Sequence, residues 1–415
     1  MIHRVRGTRD ILDMRLFDFA ISTISVHLKR YHFSHIMTPI LEPIELFKRS
    51  LGTETDVVSK EMFVVTSSSG QADDSICLRP EATASTIRAF VEEGVQQTPW
   101  KVFTHGSMFR YERPQKGRFR EFHQVSLECI GSSSVAQDAQ LIAMLDRLFS
   151  QAFHLESYAL HINFLGTPEE RATFRTTFLS FLDGQPGLCE TCMVRKTTNV
   201  LRVLDCKQEA CRAICKAAPT LEAVFGEASK TEWQSLKNYL EELSVSFTVN
   251  SRLVRGLDYY NKTVFEFVSA DLGSQSAFCG GGRYDFLVSH IGGKEDQPSI
   301  GAAIGIDRLL MLLESCQDSL PLAQEPALYV IIPVAQEQHG ISLQIADALL
   351  ESGLTVEALF DGSLKSMMRK ANKLGARYCI VVGQTEQQEG TAVLKDMKSG
   401  DEQTVKQTDL PKILK

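Results

Sequence analysis

The chain has 415 residues, 43% of them hydrophobic and 23% charged, with a net charge of −7; this is the composition of a globular protein large enough for two or three cores. That balance excludes a bulk polyanion binder, so any nucleic-acid contact must come from local basic patches. The longest apolar run, Ala327 to Ala335, is far short of the roughly 20 residues a membrane span needs, and Met1 to Asp13 lacks the apolar stretch of a leader. The ten cysteines do not form a small secreted disulfide framework, so a cytoplasmic, reducing setting without a membrane is expected.

In chain order, the block to about Ile130 alternates short strands with helices and predicts mixed α/β structure. Arg79-Pro80-Glu81-Ala82-Thr83 opens a helix with apolar positions Ile87, Phe90 and Val91, which puts Glu81 and Thr83 in its first turn. There Glu81 either answers the helix dipole or joins Thr83 as an acceptor for a substrate ammonium. Trp100 to Glu112 and Arg120 to Ile130 read as two strands. The loop between them carries Arg113, Gln115, Lys116 and Arg118 around a glycine, a natural grip for phosphates.

Period two puts Phe122, Gln124 and Glu128 on one face of the second strand and Val125, Leu127 and Cys129 on the other. The polar face could meet water. With Arg110 at the end of the neighbouring strand, it also has the donors and acceptors for an amino acid and a triphosphate together. A helix over about Val135 to Ala152 follows, then a strand at Tyr158 to Phe164. Thr167-Pro168-Glu169-Glu170 then supplies an N-cap, a proline at the first helical position and a capping-box glutamate.

About 168–245 is mainly helical and reads as an insertion in a first domain of 1–320. It carries Cys189-x2-Cys192 followed by Cys206, Cys211 and Cys215. That spacing suits a tetrahedral zinc site on Cys189, Cys192, Cys206 and Cys211, with reduced core cysteines as the alternative. Strands and glycine turns fill Phe247 to Gly305. Arg255-Gly-Leu-Asp-Tyr259-Tyr260 joins a cation, an acid and two phenols just before a strand at Thr263 to Val268.

Three glycines at Gly280 to Gly282 permit either a tight turn or close approach of backbone to a ligand. Gly301 to Gly305 runs into a helix with Arg308 in its first turn, where a cation is disfavoured unless an anion lies nearby. No Gly-x4-Gly-Lys loop or Gly-x-Gly-x2-Gly fingerprint occurs, so a nucleotide here would be held by arginines. Residues 326–415, beyond a linker, predict a compact βαβαβ domain. Lys365, Arg369, Lys373 and Arg377 recur along one helix face there, with Met367, Ala371 and Leu374 packed inward.

Together these residues resemble the histidyl-tRNA synthetases, a class II aminoacyl-tRNA synthetase family, from Arg6-Gly7-Thr8-Arg9-Asp10 onward. Thr38 to Glu42 and Phe47 to Met62 look like the family's dimer-forming motif 1, Phe109 to Pro114 like motif 2 and Gly305 to Leu309 like motif 3. Leu253 to Tyr260 and Phe278 to Asp285 are similar to the histidine-specific signatures. The resemblance implies an α/β (α+β) fold: an antiparallel sheet flanked by helices, a helical insertion and a C-terminal α/β anticodon-binding domain. It also implies a homodimer that uses ATP, Mg2+, histidine and tRNA(His).

By the same resemblance Glu81, Ala82, Thr83, Gln124, Glu128, Tyr259 and Tyr260 bind histidine, with Glu128 and Tyr260 reading the imidazole. Arg110, Arg113, Phe122 and Arg308 bind ATP, Arg255 and Arg110 are catalytic, and Arg113 and Gln115 meet the tRNA acceptor end. Ala82, Asp307 and Phe286 depart from the family pattern, and Phe286 bears on the local turn. A non-catalytic histidine-binding regulatory relative is the alternative, but such relatives lack the C-terminal domain.

Overall fold

The computed structural model describes residues 2–53, 55–66 and 76–414, so Glu54 within the motif 1 segment lies outside them. Two compact units emerge, Met1–Leu322 and Ala323–Lys415.

In the first unit, α1 (Arg15–Arg30) buries Ala20, Ile24 and Leu28, one stripe at four-residue spacing. β1 (Ser34–His35), β2 (Leu41–Pro43), α2 (Ile44–Leu51), β3 (Phe63–Val64), β4 (Ile76–Leu78) and α3 (Thr83–Glu92) follow. β5 (Trp100–Phe109) and β6 (Glu121–Ile130) form an unbroken antiparallel pair from Trp100 opposite Ile130 to Phe109 opposite Glu121. Ser134 caps α4 (Val135–Arg147) by accepting from the Ala136 N–H, and Leu141, Ile142 and Leu145 turn into the core. Each such buried aliphatic side chain contributes about 2 kcal/mol.

After β7 (Ala159–Phe164), α5 (Pro168–Asp183) begins with the reciprocal capping box: Thr167 Oγ1 accepts from the Glu170 N–H, and the Glu170 carboxylate accepts from the Thr167 N–H at 2.8 Å. α6 (Glu190–Thr198), α7 (Glu209–Lys216) and α8 (Glu227–Glu242) complete a run without strands before β8 (Thr248–Val249). β9 (Asn261–Val268), β10 (Ala277–Arg283), α9 (Leu287–His290), β11 (Ser299–Gly305) and α10 (Ile306–Leu313) close the unit. Its main sheet has eight strands in the order β1-β5-β6-β11-β10-β9-β7-β8. All neighbours are antiparallel except β1 with β5 and β7 with β8. α3, α4 and α10 pack against it.

The glycine run is not a turn. Gly280 to Gly282 lie inside β10, paired with β9 and β11 on its two sides. Phe286 adopts ordinary right-handed backbone angles at the cap of α9, so the turn there needs no glycine.

In the second unit β12 (Leu328–Pro333), α11 (His339–Glu351), β13 (Thr355–Ala358), α12 (Leu364–Lys373) and β14 (Tyr378–Val382) form the expected parallel βαβαβ core. After α13 (Gln384–Glu389), β15 (Thr391–Asp396) and β16 (Glu402–Lys406) add an antiparallel hairpin, and α14 (Leu410–Ile413) ends the fold. Asp396 Oδ1 shapes that hairpin's turn by accepting from the Lys398 and Ser399 N–H groups. Two expectations for the basic helix fail because α12 ends at Lys373 before Gly375, whose φ is +74°. Leu374 is 46% exposed, and Arg377 lies beyond the helix, paired with Asp396 at 3.1 Å.

Candidate active site

Phe122, Gln124 and Glu128 do share the ligand-side face of β6, and the strands beside them are stripped of side chains there. Gly301 lies opposite both Glu128 and Gly282. A Cβ on Gly301 would sit 1.7 Å from Glu128 Oε2; one on Gly280 would meet Arg255 Nη1 at 2.5 Å, and one on Gly282 would meet Tyr260 Cδ1 at 2.9 Å. The bare patch of sheet is therefore covered by three of the predicted site residues. Above it opens a cavity of about 340 Å³, lined among others by Glu81, Thr83, Arg110, Phe122, Gln124, Arg255, Tyr259, Tyr260 and Arg308.

Two carboxylates stand at one end, Glu81 in the cavity wall and Glu128 buried beside the wall residue Thr83. Glu128 is 1% exposed and accepts from Thr83 Oγ1 at 2.8 Å and from the Tyr284 hydroxyl. Tyr284 is thus its phenol partner within the protein. Burial pushes the Glu128 carboxyl up to about 8, against the opposing pull of these hydrogen bonds. Glu81 precedes α3 instead of standing in its first turn. Its two oxygens accept from the Thr83 and Ala84 N–H groups at 2.7 and 2.8 Å, so it caps the helix while facing the cavity. Burial raises its carboxyl too.

Ala82 is the buried cap residue of α3 and shapes this corner with its backbone. The Tyr259 and Tyr260 hydroxyls lie 3.5 Å apart. Gln124 Oε1 is buried without a hydrogen-bond partner among the described residues, which marks it as an acceptor for a ligand donor.

The other end is cationic. Arg110 Nε donates to the Pro80 carbonyl at 2.9 Å, and its guanidinium lies 5.3 Å from the Phe122 ring centre. Arg255 pairs with Glu266 and lies over Tyr260, 5.6 Å from the ring centre. Arg308 donates to the carbonyls of Gly117 and Ala277; burial, with Arg110 and Arg118 nearby, lowers it to about 10. Asp307 accepts from Arg9 at 2.5 Å and from the His123 N–H at 2.6 Å, tying the N-terminal Arg-Gly-Thr-Arg-Asp segment to β6.

The loop cations divide differently from the sequence reading. Arg113, Gln115 and Lys116 are exposed and outside the cavity wall, whereas Arg118 lines it, paired with Glu112. Sequence reasoning also missed Glu266 and Arg202. Glu266 was findable as a lone charge in the apolar strand Thr263 to Val268. Arg202, from the insertion, donates to the Arg255 carbonyl at 3.2 Å, while Asn199 donates to Asp258 at 2.9 Å. Arg283 faces away from the cavity. It is 2% exposed, and its guanidinium binds Asp138, Asp285 and the carbonyls of Ser132 and Ser134.

A long antiparallel sheet whose floor carries a carboxylate-and-arginine cavity is the architecture of class II tRNA synthetases. Residues 63–316 match the family model described as the tRNA synthetase class II core domain (G, H, P, S and T), and residues 329–415 match the anticodon binding domain. The chain is 41% identical over 416 residues to the histidine–tRNA ligase of Solidesulfovibrio magneticus, covering 99% of this chain and 96% of that one. It is 42% identical over 425 residues to that of Neisseria gonorrhoeae, covering 99% and 97%. Among solved structures it is similar to apo Staphylococcus aureus histidyl-tRNA synthetase, with a TM-score of 0.79, 28% identity, and 100% of this chain and 99% of that chain covered. The chain belongs to the histidine–tRNA ligase family.

Proposed function

We propose that this chain activates L-histidine with ATP and then loads it onto tRNA(His). The observation that carries this reading is an arginine-lined cavity with the buried Glu81 carboxylate in its wall and the buried Glu128 carboxylate bonded to the wall residue Thr83. Histidine offers two nitrogen centres, its ammonium and its imidazole, and each carboxylate suits one of them. Glu81 with Thr83 and Gln124 takes the ammonium. Glu128, held by Thr83 and Tyr284, takes one side of the imidazole, and Tyr259 and Tyr260 close the other, with Ala82 supporting the corner.

The substrate carboxylate then lies toward Arg110 and Arg255. One of its oxygens attacks the α-phosphorus of ATP; the bond from that phosphorus to the β-bridging oxygen breaks, and pyrophosphate leaves with the electron pair. Arg110 and Arg255 stabilise charge on the α-phosphoryl group, Arg308 and Arg113 hold the outer phosphates, and Phe122 stacks on adenine. Glu61, Glu112 and Glu266 each already pair with an arginine. With their place in the cavity wall, these carboxylates would help hold Mg2+ brought in with the triphosphate, and the ion would supply charge neutralisation for the leaving group. In the second step a terminal ribose hydroxyl of tRNA attacks the histidyl carbonyl and AMP leaves, with Arg113 and Gln115 on their exposed loop meeting the acceptor end.

Exposed Lys365, Arg369 and Lys373 suit anticodon-stem phosphates. The exposed Ile40 and Leu41 of the motif 1 segment, with Met37 just before it, suit a homodimer interface. Among the described residues no helix is long and apolar enough to cross a membrane, and a cytoplasmic setting fits the ten free thiols. A regulatory histidine sensor would need neither Arg255 and Arg308 nor an anticodon domain. Histidine-dependent exchange of labelled pyrophosphate into ATP, followed by charging of tRNA(His), tests the proposal. Folded protein that shows no such exchange overturns it.

A further inference from the structure

The insertion holds a group of side chains that the ligase chemistry does not use. The Sγ atoms of Cys189, Cys192, Cys206 and Cys211 all lie within 4.8 Å of one another. Cys189 and Cys192 stand at the start of α6, Cys206 in the following turn and Cys211 in α7, so the four come from three separate segments. Cys192 and Cys211 are fully buried. In a tetrahedral site with metal–sulfur bonds of about 2.3 Å, neighbouring sulfurs are about 3.8 Å apart. Cys189 and Cys206 are separated by 3.8 Å, whereas a disulfide would bring them to about 2.05 Å. The Cys189 N–H donates to Cys211 Sγ at 3.2 Å, the kind of backbone contact that supports a metal-bound thiolate.

We propose that these four cysteines form a structural tetrathiolate zinc site. Cys215 is excluded from it: its thiol turns to the Val203 carbonyl at 3.6 Å. The site ties together the 189–211 stretch, from whose middle Asn199 and Arg202 reach the Arg255 to Asp258 segment. This inference is independent of the proposed ligase activity.

Metal analysis of the full chain, purified without chelator, should find about one zinc per polypeptide. Replacement by cobalt(II) should give the ligand-field and thiolate charge-transfer absorption of a tetrahedral tetrathiolate. Cys192→Ser should lose the metal, Cys215→Ser should keep it, and chelation should open the 189–211 stretch to proteolysis. If Cys192→Ser does not fold, the metal content and cobalt spectrum of the unsubstituted chain decide. A folded chain that takes up no zinc and keeps four titratable thiols overturns the proposal, as does one whose mass shows these cysteines joined in two disulfides.

Discussion

Glu128→Gln should make the first unit more stable and the enzyme worse. The Glu128 carboxyl titrates near 8 in the fold against 4.5 when free, so folding at pH 7 requires it to take up a proton. That uptake costs about 1.36 kcal/mol for each of the roughly 2.5 pH units between 4.5 and 7, or at most about 3.4 kcal/mol. The sign follows from linkage: a raised folded pKa means the stability contribution is intact below about 4.5 and is lost as pH rises toward about 8. Glutamine never titrates, and the Thr83 and Tyr284 hydroxyls can rotate to serve an amide. The variant should therefore melt several degrees higher at pH 7 to 8 and at the parent's temperature near pH 4.5. Losing a carboxyl that can ionise against the imidazole should meanwhile raise the KM for histidine by about tenfold to a hundredfold. Thermal melts across this pH range and histidine-dependent pyrophosphate exchange test both halves. Equal melting at every pH, or an unchanged KM, would refute the reasoning.

Arg255→Ala should lower turnover by about two orders of magnitude with little change in melting, since Glu266 lines the cavity and can reach water; unchanged turnover in pyrophosphate exchange would remove Arg255 from the chemistry. Gly280→Ala should displace the flexible end of Arg255 and reduce activity more than stability. Gly281→Ala should do the reverse, because its Cβ would meet the Gly301 carbonyl at 2.1 Å, and comparing melts with exchange rates separates the two. Arg283→Met should cost about 3–5 kcal/mol by stranding Asp138, itself 1% exposed; denaturant titration giving parent-like stability would contradict that.

The features legible in the sequence were those set by local chemistry. The Thr167 capping box, the strand alternation that gathers Phe122, Gln124 and Glu128, and the helix that follows Gly305 all follow from neighbours in the chain. What escaped depends on partners distant in sequence. Glycine disfavours strands, so Gly280 to Gly282 read as a turn or a loop against a ligand. Arg255 over Gly280, and neighbouring-strand backbone within 2.5 Å of a Cβ on Gly281 or Gly282, explain a strand built from glycine. The bond from Tyr284 to Glu128 rests on where β10 ends relative to β6, which no periodicity encodes. Arg113 and Arg118 are indistinguishable as letters; a tight turn around Gly117 sends only Arg118 inward.

The interlock between Gly301 and Glu128 also constrains the order of evolutionary change. Gly301 cannot gain a side chain while Glu128 keeps its length, and even a shortened residue 128 leaves the Leu127 carbonyl 2.8 Å from the new Cβ. A lineage departing toward another amino acid must therefore change residue 128 first, when doing so already sacrifices the original substrate. Each intermediate loses the old activity before any new side chain fits, a barrier between related specificities that is written into the floor of the sheet.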